Sequence, residues 1–251
     1  MADWNPQQYL KFQKQRTQPS RDLAARVADR NPRTVADIGC GPGNSTAVLR
    51  EVFPQAEIVG LDNSPDMIEK ARREHPDLAF RQGDARQLED TWDLLFSNAC
   101  LQWIPNQQEL LPALMSHLNP GGMLAVQVPN NGEEPFYRLV QQVVSEPRWG
   151  FDASPEYNQA LSPQEYFDIL SECASSFDLW EVCYQHPMPD HAALVDWVES
   201  TRLRPYLQVL GPQRGNELKE ELAQRAKELY PVRKNGQVIL GFRRLFFTAE
   251  K

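Results

Sequence analysis

The residues best placed to do chemistry lie in one short stretch, Asp37-Ile38-Gly39-Cys40-Gly41-Pro42-Gly43, directly after the apolar run Thr34-Val35-Ala36. Glycines at alternate positions let backbone approach a ligand closely, and a helix starting just beyond, with Asn44 or Ser45 as its expected cap, would aim its N-terminus at that ligand. A nucleotide-like cofactor is therefore expected. A dinucleotide turn would place its third glycine at position 44, which is Asn44, and Pro42 deletes an N–H that a pyrophosphate cradle would use. Asp37, two residues before the first glycine, repels phosphate and suits a ligand carrying an ammonium group.

That charge pattern disfavours NAD and matches the methionine half of S-adenosylmethionine (SAM). Three further positions agree in order. Asp62 ends a second apolar run roughly 20 residues beyond Gly39, where an acid in this kind of sheet meets both ribose hydroxyls; the competing role is a cap for a helix opening at Pro65. Asn63 and Met67 join Asp62 in the expected cofactor set. Gly83-Asp84-Ala85 follows a third run, where Asp84 can accept from an adenine amino group and Ala85 offers backbone, unless Asp84 only makes a turn. Asn98 ends a fourth run, with Leu101-Gln102-Trp103 just past it, and strand ends on this side are where open α/β sheets bind ligands. The cofactor set is thus Asp37, Gly39, Gly41, Asp62, Asn63, Met67, Asp84, Ala85, Asn98 and Gln102.

These residues need strands to carry them. Thr34–Ile38, Glu57–Asp62, Leu78–Gln82 and Trp92–Ser97 are short apolar runs of the buried-strand kind, and Met123–Val128 follows the turn Asn119-Pro120-Gly121-Gly122. Between them Ser45–Val52, Pro65–Glu74 and Gln107–His117 read as helices, so the alternation predicts an α/β fold with a doubly wound parallel sheet. The stretch from Asp3 to Arg26 reads as helix interrupted at Pro19, with Tyr9, Phe12 and Arg16 on one face: either a lid or an amphipathic helix packed on the core. Past Pro129 a Pro- and aromatic-rich, mainly helical region runs to about Pro231, with Trp180–His186 as a possible embedded strand. Val238–Ala249 is expected as a final strand at the sheet edge. One domain over 1–251 results: an N-terminal helical lid (1–30), a cofactor core (31–130), a helical cap (131–231) and the final strand (232–251).

With 251 residues, 41% of them hydrophobic, the chain can bury a full core. No apolar run is long enough to span a membrane, and Met1-Ala2-Asp3-Trp4 lacks the features of a signal peptide. The four cysteines, Cys40, Cys100, Cys173 and Cys183, are scattered without a Cys-x-x-Cys pair, which points to a cytoplasmic setting with neither disulfides nor a thiolate metal site. His186 and His191 lack a metal-binding spacing, so no metal is assigned. Cys40 is expected as a small filler of the turn. A net charge of −8 argues against nucleic acid or an anionic membrane as partner and leaves room for a small anionic substrate.

From Val35 to Pro129 the sequence resembles the class I SAM-dependent methyltransferases. That likeness implies a Rossmann-like, seven-stranded, mostly parallel sheet whose last strand is antiparallel. A closer likeness, to members that esterify trans-aconitate, extends along nearly the whole chain. It rests on Asp3-Trp4-Asn5-Pro6, Ala36 to Thr46, Leu101-Gln102-Trp103, Leu118-Asn119-Pro120, Asp196-Trp197-Val198, Leu203-Arg204-Pro205 and Arg244-Leu245-Phe246. It implies methyl transfer from SAM to one carboxylate, leaving S-adenosylhomocysteine (SAH). Arg202 stands where the family has a small residue, and Gly211–Tyr230 matches in outline only.

A carboxylate is already ionised at neutral pH, so such a reaction needs positioning and no general base. Cations must compensate for taking an anionic acid out of water, and Arg suits this through its fork. The expected substrate set is Arg204, Arg244 and Arg16, with His186, Tyr9 and Trp103 completing the pocket. Arg204 reads equally as a surface residue, and Arg244, in an apolar strand, needs a buried partner that can be an internal acid. Two other readings compete: methylation of malonyl-acyl carrier protein, for which no clear basic cluster is visible, and a SAM-binding module without catalysis.

Overall fold

The computed structural model describes residues 13–151 and 160–251. Tyr9 lies outside them. Seven strands form one sheet: β1 (Thr34–Ile38), β2 (Glu57–Asp62), β3 (Ala79–Gln82), β4 (Trp92–Asn98), β5 (Leu118–Pro129), β6 (Ser176–Met188) and β7 (Val238–Glu250), in the order β3-β2-β1-β4-β5-β7-β6. Pairs among β1 to β5 are parallel, and β7 runs antiparallel to β5. The expected doubly wound, seven-stranded, mostly parallel sheet is present. β7 is not an edge strand, however. It lies between β5 and β6, because the embedded strand expected at Trp180–His186 is longer and takes the edge.

The helices are α1 (Gln13–Arg26), α2 (Asn44–Val52), α3 (Pro65–Glu74), α4 (Gln107–Ser116), α5 (Pro135–Val144), α6 (Pro163–Cys173), α7 (His191–Val198) and α8 (Arg204–Leu229). Pro19 does not interrupt α1. Proline loses one intrahelical hydrogen bond but keeps a helical φ, and burial of Leu23, Ala24 and Val27 on the following turns holds the helix together. The Asn119–Gly122 turn is absorbed into β5 as an irregularity, with Gly121 at φ +72° and a register shift opposite Trp92 and Leu94. α8 bends at Gly211, whose φ of 71° and ψ of 179° are non-helical.

The chain divides into two compact units. Among the described residues the sheet unit comprises 17–129, 160–182 and 244–251, and the helical unit comprises 13–16, 130–151 and 183–243. In the sheet unit Ala36, Ile38, Leu95, Leu124 and Val126 pack with Leu110, Leu114, Tyr166 and Leu170 of α4 and α6 and with Leu245 and Phe247 of β7. The helical unit has its own core, in which Phe136, Val140 and Val143 of α5 meet Leu194, Trp197, Leu218 and Leu222. No described helix is long and apolar enough to cross a membrane.

Candidate functional site

The strand ends of the sheet unit gather nearly all the expected cofactor residues. β1 delivers Asp37 and turns sharply: Gly39 and Gly41 have φ of +71° and +53°, where a side chain is strained. A Cβ on Gly39 would drive into Cys100 Sγ and Cβ, so glycine is required there by packing as well. Around Gly41 a Cβ would meet nothing, which leaves the backbone open to a ligand. The turn is tied to β2 by Gly39 and Cys40 N–H groups donating to Leu61 O (2.7 and 3.0 Å) and by Gly41 N–H donating to Asp62 Oδ2 (2.9 Å).

α2 is capped differently from expectation. Its N-cap is Gly43, with no side-chain cap bond; Ser45 and Thr46 instead donate their hydroxyls to Asp37 Oδ2 at 2.7 and 2.6 Å. Asp37 is fully buried, and its Oδ1 has no partner among the described residues. Burial pushes its pKa from 3.8 to about 6, against the two hydroxyl bonds, and the nearby Asp62 carboxylate adds to the rise. Ser45 and Thr46 were not picked out as functional; the signal was their place just past the last glycine.

Asp62 serves the architecture as well as any ligand. Besides Gly41 N–H, it accepts from Ser64 N–H through Oδ1 (2.9 Å), while the cap of α3 is Ser64, whose Oγ accepts from Met67 N–H. Met67 is half-buried and Asn63 exposed, with its carbonyl accepting from Gln82. Asp84 is gripped by Arg86 through both oxygens and by the Arg86 N–H, which holds its carboxyl below the usual range; Ala85 beside it is half-buried. The turn reading of Asp84 is therefore realised, and an adenine amino group would share an oxygen with Arg86.

At the end of β4, Asn98 Oδ1 is buried without a partner among the described residues, and so is Gln102 Oε1, whose Nε2 donates to Ala99 O (2.7 Å). Ala99 itself adopts φ +55°, a strained value for a residue with a side chain. Trp103, the residue after Gln102, is 59% exposed. Burial pushes the Cys40 thiol up, and pushes Cys100 up to about 12, with the charges of Asp62, Asp37 and Asp84 adding to it.

Three buried acceptors without partners among the described residues, Asp37 Oδ1, Asn98 Oδ1 and Gln102 Oε1, thus lie at or just past the ends of β1 and β4, where the charges of Asp37, Asp62 and Asp84 act on Cys100. They suit a ligand rich in donors and positive charge, as SAM is with its ammonium, sulfonium, ribose hydroxyls and adenine amino group. They do not suit a pyrophosphate.

The substrate candidates are divided. Arg244 is buried in the sheet unit and donates through Nη1 to Gln127 Oε1 at 3.4 Å. Arg204 and His186 belong to the helical unit. Arg204 is exposed at the start of α8, after the π-helical segment Glu199–Leu203, in which Arg202 donates to Gln141 (2.9 Å). His186 is 7% exposed and packed among Tyr184, Trp197 and Phe242, an environment that a core histidine would also have. Arg16 lies on α1, its side chain outside the described residues. Gln127, fully buried in β5, was missed; a lone amide inside the apolar run Met123–Val128 was the available signal.

Comparison with known proteins agrees with this geometry. Residues 30–188 match a methyltransferase domain family. A trans-aconitate 2-methyltransferase of Escherichia coli O157:H7 is 46% identical over the whole of this chain and 99% of its own length, and one from Shigella flexneri serotype 5b is 45% identical over the same span. Among solved structures, the YcgJ protein from Bacillus subtilis superposes with a TM-score of 0.62 at 15% identity, covering 93% of this chain and 98% of its own; at that identity it speaks for the fold alone. With sheet order, glycine turn and full-length identity in agreement, the chain belongs to the class I SAM-dependent methyltransferases, in the family of the trans-aconitate 2-methyltransferases.

Proposed function

We propose that this chain moves the methyl group of SAM onto one carboxylate of trans-aconitate, giving a monomethyl ester and SAH. The observation that carries the reading is identity of about 45% across the full length of relatives named for that reaction, the substrate half included. Bound SAM supplies a methyl carbon already activated by its sulfonium. A carboxylate oxygen forms the new bond to that carbon, and the departing sulfur keeps the electron pair. No proton is transferred, so no basic side chain is required.

What the chain contributes is placement. Asp37, Asp62 and Asp84 surround the cofactor's positive and hydroxyl-rich parts with carboxylate, and Asn98 and Gln102 offer amide oxygens beside them. Among the cations we assign Arg204 to a non-reacting carboxylate, since a guanidinium on the attacking oxygens would lower their nucleophilicity. A cytoplasmic location fits a small metabolite acid and four unpaired thiols.

The test is transfer of labelled methyl from SAM to trans-aconitate, cis-aconitate, isocitrate, citrate and malonyl-acyl carrier protein, with release by mild base marking an ester. Preferential, base-labile labelling of trans-aconitate is the expected result. Labelling of the carrier protein alone would move the substrate to that class, and SAM binding without any labelled acid would leave a non-catalytic SAM-binding module.

A further inference from the structure

We infer that Gln127 donates to the carboxylate that accepts the methyl group, and that Arg244 acts through it by fixing which way its amide faces. This rests on the carboxyl-transfer reading above. Ile38, Ser97 and Val126 are partners across β1, β4 and β5. The next row toward the strand ends therefore follows Ile38 into Gly39 and contains Asn98, Gln127 and, on β7, Phe246. Gln127 thus shares its row with the glycine turn and with Asn98, and Ala99 N–H donates to its backbone oxygen (2.8 Å).

The orientation of the Gln127 amide follows from what its neighbour can offer. A guanidinium has donors and no acceptor, so the contact from Arg244 Nη1 must go to Oε1, and Nε2 is turned away. That Nε2 is buried with no partner among the described residues. Near the glycine turn the open atoms Asp37 Oδ1, Asn98 Oδ1 and Gln102 Oε1 accept, whereas the open atom of Gln127, Nε2, donates. The acceptors fit a cationic cofactor. The donor fits an anion.

A neutral amide is also the better partner for a reacting carboxylate. It can hold one oxygen in place while withdrawing less charge than a guanidinium would, and the second oxygen stays free to attack. Arg244 behind it polarises the amide without touching the acid, which makes Arg244 a positioning residue.

The experiment measures SAH binding by calorimetry, then trans-aconitate binding to the SAH complex, then steady-state methylation, for the full chain and its variants. Gln127→Leu is expected to raise the Kd and KM for the acid at least tenfold while the Kd for SAH stays within twofold. Gln127→Met, which keeps the chain length, should reproduce that loss, and Gln127→Glu should exceed it, because an acceptor then faces the anion. Arg244→Met is expected to weaken the acid too, but the Arg244→Met, Gln127→Leu double variant should lose no more than Gln127→Leu alone. Additive losses would mean that Arg244 meets the acid directly and would overturn the relay. Unchanged acid affinity in Gln127→Leu, or a parallel loss of SAH affinity, would overturn the assignment of Gln127. Wild-type protein that binds SAH but neither binds nor methylates trans-aconitate would instead overturn the carboxyl-transfer reading.

Discussion

Two buried carboxylates, one in each compact unit, are held in opposite ways. Asp37 in the sheet unit has one oxygen occupied by the Ser45 and Thr46 hydroxyls and the other open. Glu134 in the helical unit has both occupied: Tyr230 donates to Oε1, and Phe136 and Tyr137 N–H groups, at the start of α5, donate to Oε2. Burial raises the pKa of each. Glu134 is therefore a finished piece of structure, an N-cap locked by a tyrosine, while Asp37 keeps one acceptor open, as the proposed cofactor site requires. Burial alone does not separate the two carboxylates; the hydrogen-bonding capacity left open on Asp37 does.

The comparison would break most severely at Gly39. Gly39→Ala forces a side chain into the left-handed region and into Cys100, together on the order of 2–5 kcal/mol, and should abolish SAH binding in calorimetry. Adding Cys100→Gly should recover the packing part only; full recovery would show that the φ at Gly39 costs nothing. In the other unit, Tyr230→Phe strands Glu134 Oε1 and should cost about 1–3 kcal/mol in urea unfolding, with SAH affinity unchanged. A loss of SAH affinity there would erase the distinction between the two carboxylates.

Asp62→Ala should weaken SAH at least tenfold, or about 1.4 kcal/mol, by removing ribose contacts and the acceptor that holds Gly41. An unchanged Kd in a folded variant would remove Asp62 from the site. The smallest effect is in pH. Because the folded value of Asp37, about 6, lies above 3.8, the native state binds this proton more tightly, so the group's contribution to stability falls as pH rises between those values. A ligand ammonium favours the ionised form, so SAH affinity should decline as pH drops through about 6, with proton release on binding. Asp37→Asn should flatten that dependence, and a profile that survives the substitution would place the titrating group elsewhere.

Much of the sheet unit was legible because parallel strands buried on both faces leave unbroken apolar runs: Thr34–Ile38 and Glu57–Asp62 were delimited to the residue. The glycine turn was legible because its backbone conformation restricts residue type. What was not legible depended on partners distant in sequence. α1 passing through Pro19 is held by tertiary burial, β7 becomes internal only because β6 covers it, and the cap of α2 is replaced by hydroxyls reaching back to Asp37. Asp84 shows the same limit on a smaller scale. Its position admits both a ligand contact and a turn, and nothing in the spacing told that Arg86, two residues on, would reach both oxygens.

The antiparallel pairing of β5 with β7 also sets the order in which the molecule can be assembled. Val126 and Phe247 are partners across that pair, separated by nearly half the chain, so contact order is high at the centre of the sheet. During synthesis β5, with Leu124, Val126 and Val128, has no partner on one side until β7 has left the ribosome. An apolar edge exposed for that interval is a template for misassociation, and folding yield in vivo should depend on whatever shields it.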